Sequence, residues 1–303
     1  MRIFKKWLAL VKMRATSKYY NIGFAPFSGE ITSFYDISNK VQWLNNRDKN
    51  RWYADPFIVD YDEETITVLV EEMDYHVRKG VIAELVINRS NMEIEKRFVV
   101  FQAKTHLSFP AIRRVEDVIY IYPENSRSGN TYIYRYNREE HHLTDKKLLV
   151  SAPLADAVML NDETILATDS SDPNGKDLSI FKLVSGKYVK NSSIQFESNI
   201  ARNAGTPFYV GNQLVRSAQD CNGEYGKGVI FQSIDKDAEG NLSLKTIGSL
   251  YPFDSTYNKG LHTFNVYKDL VVIDSYKMPN TIVKDITNIV FSIALSVKNL
   301  LKK

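Results

Sequence analysis

The sequence predicts an all-β fold, a five-bladed β-propeller in which each blade is a four-stranded antiparallel sheet. The main signal is an apolar phrase that recurs five times, with 54, 47, 50 and 57 residues between equivalent positions. A second β-branched run follows each copy, and turn-forming residues separate the two runs. A period near fifty residues in a chain of paired strands is typical of a propeller. The equivalent positions are Asp55, Phe109, Asp156, Thr206 and Thr263.

The strands of each unit follow from this repeat in chain order. The first strand contains the phrase, and second strands are expected at 66–72, 118–124, 164–169, 213–220 and 270–274. Third strands fit 81–88, 131–137, 178–183 and 229–234, and fourth strands fit 94–102, 147–151, 193–196 and 244–250. The fifth unit lacks outer strands, because the pattern after Asp274 becomes helical. We therefore expect a strand near 20–27 to complete the last blade and close the ring, which hides the sheet edges.

Both ends of the chain are predicted to be short amphipathic helices, which divides the chain into 1–18, a propeller at 19–278, and 279–303. The first segment has six basic residues and no acidic one, and the last has an apolar stripe from Ile282 to Leu300. Neither apolar run approaches the ~20 residues of a bilayer span. The helices either pack on the propeller or lie on an anionic membrane surface. Since no signal peptide is recognised, we expect a cytoplasmic protein, peripheral on the inner face of the membrane if the helices bind lipid.

Composition limits the partners. The formal net charge is +3 and the basic excess lies at the two ends, so the predicted propeller is mildly acidic. That distribution differs from a nucleic-acid-binding surface, and no nucleic-acid partner is expected. The single cysteine, Cys221, excludes an intrachain disulfide framework.

Candidate chemistry lies where the blades converge, at the start of the first strands and the end of the second strands. The catalytic candidates are the carboxylates Asp55, Asp156 and Glu124. The substrate-binding candidates are Trp52, Tyr53, Glu72, His106, Ser108, Asp169, Arg202, Arg216, Gln219, Asp220, Tyr225 and His262. Glycosidic chemistry needs one ionised and one protonated carboxyl group, and crowding with partial burial separates pKa values in that way. Structural explanations stay open, since Asp before Pro is a common turn pair and a lone His is often a hydrogen-bonded core group.

Motifs spread over most of the chain carry a family resemblance. They include Arg51-Trp52-Tyr53-Ala54-Asp55-Pro56-Phe57, His106-Leu107-Ser108-Phe109-Pro110, Tyr122-Pro123-Glu124-Asn125, Arg202-Asn203-Ala204-Gly205 and Gly260-Leu261-His262-Thr263-Phe264-Asn265. Together they resemble the N-terminal propeller domain of plant glucosamine inositolphosphorylceramide transferases, in a bacterial form that stands alone. The resemblance implies a carbohydrate or glycolipid substrate. It also implies a partner glycosyltransferase encoded elsewhere, because the plant proteins carry a separate glycosyltransferase domain beyond the propeller.

More distantly, the repeat is similar to the five-bladed propellers of family 43 glycoside hydrolases. That similarity implies a base at Asp55 and an orienting carboxylate at Asp156. Unit four departs from the pattern, because Arg202-Asn203-Ala204-Gly205 stands where those enzymes have a catalytic Glu. The acid would then come from another position, and the candidates are Glu124, Glu72 and Asp220.

Three function classes remain open. We favour glycosyl transfer or hydrolase-like chemistry on a surface glycan or glycolipid that carries a phosphate or other anionic group. Arg202 and Arg216 favour such a group, because a guanidinium binds an anion through paired N–H donors. The alternatives are a non-catalytic glycan-binding or partner module and an inverting glycoside hydrolase. No ligand spacing requires a metal, although a carboxylate-rich channel could hold a divalent cation.

Overall fold

The computed structural model describes residues 18–31 and 33–278, and this part of the chain is almost entirely β-structure. The first ten strands are β1 (Tyr19–Pro26), β2 (Gln42–Trp43), β3 (Arg51–Tyr61), β4 (Thr65–Asp74), β5 (Gly80–Asn88), β6 (Ile94–Phe101), β7 (Ser108–Val115), β8 (Val118–Glu124), β9 (Thr131–Asn137) and β10 (His142–Val150). The other ten are β11 (Leu154–Asn161), β12 (Thr164–Asp169), β13 (Asp177–Val184), β14 (Lys187–Gln195), β15 (Phe208–Val210), β16 (Gln213–Asp220), β17 (Gly228–Lys236), β18 (Leu242–Leu250), β19 (Phe264–Tyr267) and β20 (Leu270–Lys277). The helices are α1 (Ser33–Lys40) and a 3-10 turn at Ser126–Ser128.

The strands form four sheets. Three are four-stranded, in the orders β19-β20-β1-β2, β3-β4-β5-β6 and β15-β16-β17-β18, and the fourth has eight strands. The eight-stranded sheet consists of the antiparallel sets β7–β10 and β11–β14, joined by one parallel pairing between Val150 and Tyr188. The first strands of successive sets contact one another, β19 with β3, β3 with β7, and β7 with β11. The prediction of an all-β, propeller-like fold is therefore confirmed.

The closing strand lies where the sequence predicted it. β1 pairs antiparallel with β20 over its whole length, from Tyr19 opposite Lys277 to Pro26 opposite Leu270. This pairing makes the last sheet from the two ends of the described chain, as closure of a ring requires. The predicted terminal helices lie outside the described residues, apart from Lys18. Within 18–31 and 33–278, no helix has the length and apolar character needed to span a membrane.

The helix α1 was not predicted. It has eight residues, and Phe34 and Ile37 are its buried apolar side chains. The Phe34 ring stacks on Phe231 with the centroids 3.8 Å apart. Two apolar positions are too few to establish a helical period in the sequence, so tertiary packing decides this element.

The repeated phrase marks a β-bulge in the first three sets. The pairing register of β3, β7 and β11 shifts there, at Asp55, Phe109 and Asp156. All three residues have positive φ angles, 49°, 44° and 41°. Left-handed backbone costs a non-glycine residue about 1–2 kcal/mol, so surrounding contacts must hold these residues in place. A bulge redirects a side chain out of the regular ladder, and such positions often serve a site.

Loops at one edge of the sheets gather the candidate residues. Because neighbouring strands are antiparallel, β3, β5, β7 and β9 begin at the same edge at which β4, β6 and β8 end. We call this edge the upper face. β1 begins and β20 ends there as well, beside the loops at 75–79, 102–107 and 125–130.

Candidate functional site

Asp156 lies at the centre of a buried hydrogen-bond network. Its Oδ2 accepts hydrogen bonds from Nε of Arg202 and from Nε2 of Gln219, both at 2.6 Å. Its Oδ1 accepts a third from Nη2 of Arg202 at 3.3 Å, and Nδ2 of Asn203 donates to its backbone oxygen at 2.7 Å. Only 1% of Asp156 is exposed. Arg202 therefore neutralises a carboxylate that would otherwise be buried without a counter-charge.

Glu124 lies beside this ion pair and also faces a cleft. Its Oε2 accepts the backbone N–H of Asp156 at 3.1 Å and Nη2 of Arg202 at 3.3 Å. Burial and the charge of Asp156 raise the pKa of Glu124 to about 8, although the charge of Arg202 opposes this. The side chain is 15% exposed and lines the cleft between the β3–β6 and β7–β10 sets. Glu124 therefore holds a proton at neutral pH where a bound molecule can reach it.

Asp55, His262 and Asp274 form a second buried cluster. Nδ1 of His262 is 2.6 Å from Oδ1 of Asp274, which also accepts the backbone N–H groups of His262 and Thr263. Oδ2 of Asp274 accepts the backbone N–H of Asp55 at 2.9 Å. Nε2 of His262 lies 3.3 Å from Oδ1 of Asp55, and Oδ2 of Asp55 accepts the backbone N–H of Phe109 at 3.0 Å. The three side chains thus line up as carboxyl, imidazole and carboxylate.

The pKa values of Asp55 and Asp274 are shifted in opposite directions. Burial, with the charges of Glu71, Asp156 and Asp274, raises the pKa of Asp55 well above its ordinary value. Burial also opposes ionisation of Asp274, but the charge of His262 and the N–H donors around it hold that pKa below its ordinary value. The surroundings therefore favour the ionised form of Asp274 and the protonated form of Asp55. Oδ2 of Asp55 accepts the backbone N–H of Phe109, and its Oδ1 faces His262.

One structural rule relates the two clusters. In each, the carboxylate at the end of a second strand accepts the backbone N–H of the bulge residue in the next set along the ring. Asp274 does this for Asp55, and Glu124 does it for Asp156. Asp274 and Glu124 therefore each stabilise a residue with left-handed backbone, Asp55 and Asp156 respectively. Of these two carboxyl groups, Glu124 is also partly exposed.

The Asp55 cluster fits a metal ion poorly. Asp55, His262 and Asp274 offer one ligand atom each within 4.8 Å of one another. Both oxygens of Asp274, however, already accept N–H groups. The residues fit a hydrogen-bonded chain rather than a three-ligand centre, and we assign no metal to them. The divalent cation that the sequence analysis left open in the central channel stays a prediction.

Tyr225 joins the two clusters. Its ring centroid lies 4.9 Å from Cζ of Arg202 and 5.2 Å from the ring of His262, which it meets edge to face. The ring of Tyr20 lies 4.9 Å from His262 and 5.0 Å from Trp52. These aromatic rings cover the polar groups, and a low local dielectric strengthens the interactions beneath them.

The cleft beside Glu124 has a volume of about 470 Å³ and a basic lining. Its lining residues are Arg78, Lys79, Lys104, Thr105, His106, Glu124, Ser126 and Arg127. Nε2 of His106 lies 3.1 Å from Oε1 of Glu71, and this hydrogen bond raises the pKa of His106. Nδ1 of His106 accepts the backbone N–H of Gly80 at 3.0 Å, which fixes the ring at the cleft wall.

Arg216 lies elsewhere than the sequence analysis expected. It is fully buried, and its guanidinium donates to the side chains of Asn203 and Gln232 and to the backbone oxygens of Ala201 and Ile200. Burial lowers its pKa to about 9. With no exposed surface, Arg216 supports the turn that carries Arg202 and offers nothing to an anion.

Three predicted carboxylates bind other partners. Glu72 is buried against Arg97, which donates to both of its carboxylate oxygens. Asp169 is exposed and accepts hydrogen bonds from Ser171 in its own turn. Asp220 accepts the hydroxyl of Tyr251 at 3.0 Å.

Of the remaining predicted residues, Tyr53 and Ser108 are buried in the first and second sets. Sequence reasoning missed the two asparagines of the Asp156 cluster. Asn203 holds its backbone, and Oδ1 of Asn174 accepts from Nη1 of Arg202 at 3.0 Å. Asn174 lies in a loop that shares no position with the repeat, so no signal pointed to it.

Residues 43–243 match a family model described as "Glucosamine inositolphosphorylceramide transferase 1, N-terminal". The chain belongs to this family. It is 24% identical over 199 residues to glucosamine inositolphosphorylceramide transferase 1 of Oryza sativa subsp. japonica, which covers 62% of this chain and 27% of the rice protein. The Arabidopsis thaliana protein of the same name is 25% identical over 217 residues, which covers 66% and 28%. The chain thus spans about a quarter of the length of these plant relatives, and the predicted bacterial origin stays a prediction.

Solved structures with a similar backbone include glycoside hydrolases. The RS223 β-xylosidase superposes with a TM-score of 0.49 at 10% identity and covers 67% of this chain and 79% of its own. A GH43_1 enzyme from Xanthomonas citri, complexed with xylotriose, gives 0.48 at 9% identity, covering 78% and 96%.

Proposed function

We propose that the chain is a carbohydrate-active propeller that acts in glycosyl transfer, on a surface glycan or glycolipid with a phosphate or other anionic group. The observation that carries this proposal is that the Glu124 carboxyl group lines an open cleft, where burial and the charge of Asp156 raise its pKa to about 8. A carboxyl group that is protonated at neutral pH can give its proton to a departing oxygen, and once ionised it can take one from an attacking hydroxyl. The family supports a sugar-related role, since its name refers to a transferase for inositolphosphorylceramide.

In this proposal the buried groups around Glu124 raise its pKa and fix the position of its carboxyl group. Asp156 contributes the negative charge that raises the pKa of Glu124, and its backbone N–H orients the carboxyl group. Arg202 contacts both carboxyl groups and gives the buried Asp156 a counter-charge. Nε2 of His262 lies 3.3 Å from Oδ1 of Asp55, and Nδ1 of His262 lies 2.6 Å from Oδ1 of Asp274, so the imidazole links the two carboxyl groups.

We propose five blades for the architecture. The antiparallel sets β3–β6, β7–β10, β11–β14, β15–β18 and the closing set β19-β20-β1-β2 would each be one blade. The two halves of the eight-stranded sheet share a single parallel pairing, which supports their separation into two blades. Residues 19–278 would then form one domain between the segments 1–18 and 279–303.

We further propose that the upper face meets a membrane, which makes the protein peripheral on the inner, cytoplasmic face. Tyr19 pairs with Lys277, so the two basic end segments leave the described chain side by side at this face. Nζ of Lys18 lies 4.1 Å from the ring of Tyr276 and 5.4 Å from that of Tyr225, next to the site. Flotation with anionic vesicles tests this idea. Loss of binding in Lys5→Glu/Lys6→Glu is expected, and equal flotation of the variant and the wild type would refute it.

The catalytic proposal is tested with a defined reaction. The chain is incubated with inositolphosphorylceramide and nucleotide-activated glucosamine or N-acetylglucosamine, and products are read by mass spectrometry. We expect a glycosylated lipid from the wild type and a loss of about 10²–10⁴-fold in Glu124→Gln. Glu84→Gln is the matched control, because Glu84 is a buried glutamate with a raised pKa that pairs with His141 away from the cleft. Equal turnover by Glu124→Gln and wild type would refute the role of Glu124.

A second candidate is a glycan-binding module that serves a partner glycosyltransferase. It is favoured because the family model that matches is described as the N-terminal part of a glucosamine inositolphosphorylceramide transferase. In the same experiment this function gives binding of the glycolipid without product. Release of free sugar in the absence of an acceptor would instead indicate a glycoside hydrolase.

A further inference from the structure

We propose that the cleft beside Glu124 binds the phosphate group of a phosphate ester, and that this group anchors the substrate whose sugar reaches Glu124. The inference rests on the proposed function for the sugar, while the anion site itself stands on the lining of the cleft. It moves the expected anion contact away from Arg202 and Arg216, whose donors are taken by protein acceptors.

The charges of the cleft are unbalanced. Arg78, Lys79, Lys104 and Arg127 line it together with His106. Among residues 18–31 and 33–278, no carboxylate lies within 4 Å of the charged nitrogens of those two arginines and two lysines. Like charges that face one small volume repel one another, and a bound dianion would relieve that repulsion through charge-assisted hydrogen bonds.

Glu124 does not cancel this charge at neutral pH. Its raised pKa leaves the carboxyl group protonated below about pH 8, so it faces the cleft as a neutral hydrogen-bond donor. The positive charge of Arg127 opposes protonation of His106, and both side chains line the same cleft.

The wall of the cleft is fixed before any ligand binds. The backbone N–H of Leu107 donates to the backbone oxygen of Gly80 at 3.1 Å, and Nζ of Lys79 donates to the backbone oxygen of Ala103. A Cβ atom on Gly80 would lie 2.4 Å from the Leu107 oxygen and 2.7 Å from Cε1 of His106, so the two loops are in close contact. A site that is already ordered loses little conformational entropy on binding.

The size of the cleft fits more than a free phosphate ion. Small-molecule sites typically have volumes of about 300–1,000 Å³, and this cleft has about 470 Å³. A phosphoryl group with an attached sugar or cyclitol therefore fits the volume better than inorganic phosphate. The same chemistry occurs in a lipid headgroup and in a soluble sugar phosphate or nucleotide, and the experiment separates these sources.

Binding is measured by calorimetry on the full chain with myo-inositol 1-phosphate, uridine diphosphate and phosphate-free myo-inositol. Vesicles of phosphatidylcholine with or without phosphatidylinositol, read by flotation, give the lipid arm. The test variant is Lys104→Ala/Arg127→Ala. The control is Lys187→Ala/Lys236→Ala, which removes the same charge from exposed hairpins at the opposite edge of the sheets.

We expect the wild type and the control to bind at least one phosphate ester and not myo-inositol. The affinity of the test variant should fall by about tenfold for each charge-assisted contact removed. Binding to phosphatidylinositol vesicles alone identifies a lipid headgroup, and binding to uridine diphosphate identifies a nucleotide. Equal affinities of the test and control variants, or no binding of any phosphate ester by the wild type, would overturn the proposal.

Failure of this site is distinguishable from failure of the catalytic proposal. The probes do not react, so their affinities are measured independently of turnover. Intact turnover with no phosphate binding would remove the anion site and leave Glu124 in place. Phosphate binding without turnover in any variant would remove the catalytic role of Glu124 and leave the anion site in place.

Discussion

Glu124→Gln should flatten the pH dependence of stability around neutral pH. The pKa of Glu124 rises from an ordinary 4.5 to about 8 in the folded chain. Between those values the folded chain holds one more proton than the unfolded chain, so the stabilising proton is lost as the pH rises. The free energy of unfolding then falls by about 1.4 kcal/mol per pH unit. Glutamine resembles the neutral acid and can accept the same N–H groups, but it does not titrate.

The exposure of the Glu124 side chain limits the expected change in the free energy of unfolding. A complete one-proton difference over two pH units is worth about 2.7 kcal/mol. Because the side chain is 15% exposed, water screens part of this, and we expect about 1–2.5 kcal/mol between roughly pH 5.5 and 7.5. Urea unfolding at three pH values measures the slopes. The exposed Glu140 provides the control Glu140→Gln, which should keep the wild-type slope. Identical slopes for wild type and Glu124→Gln would show that this carboxyl group is ionised at neutral pH.

The remaining predictions concern the buried polar groups and the cleft wall. Arg202→Met leaves a buried carboxylate unpaired and should cost about 3–5 kcal/mol in the free energy of unfolding, whereas Arg47→Met, at an exposed ion pair, should cost below about 1 kcal/mol. Comparable losses would show that the buried pair is not isolated from water. Asp274→Asn places an amide against N–H donors and should cost about 2–4 kcal/mol, while Asp169→Asn in an exposed turn should stay within about 0.5 kcal/mol. Thermal unfolding compares this pair, and a larger loss at the exposed turn would contradict the assignment. Gly80→Ala should lower the melting temperature and weaken phosphate binding, because its Cβ would meet backbone and ring atoms; unchanged binding would count against a preformed cleft wall.

The repeat in the sequence predicted much of the fold because its physical cause is local. An apolar strand, a turn and a second strand recur with short spacing, so their periodicity can be recognised directly. The same repeat marked Asp55 and Asp156, which the structure places in left-handed bulges on neighbouring hydrogen-bond networks. The helix α1 was missed, since only tertiary packing of Phe34 and Ile37 selects it.

The sequence did not predict which residues the charged side chains contact in the folded chain. Arg216 and Glu72 looked like ligands because each is a charged residue on a predicted second strand, but folding places Arg216 among neutral acceptors and Glu72 against Arg97. The basic cleft combines Arg78, Lys104 and Arg127 from three loops. Loops carry no hydrophobic period, so their meeting depends on the order and register of the strands between them.

The central claim is that a protonated Glu124 faces the cleft at neutral pH. Carboxyl-carbon NMR of the chain labelled at glutamate, with Glu124→Gln used to assign the signal, measures this proton directly. We predict an apparent pKa of about 8 for Glu124, so its carboxyl carbon should still report the neutral acid at neutral pH. A titration close to the ordinary value of 4.5 would contradict both the proton on Glu124 and the acid role proposed for it.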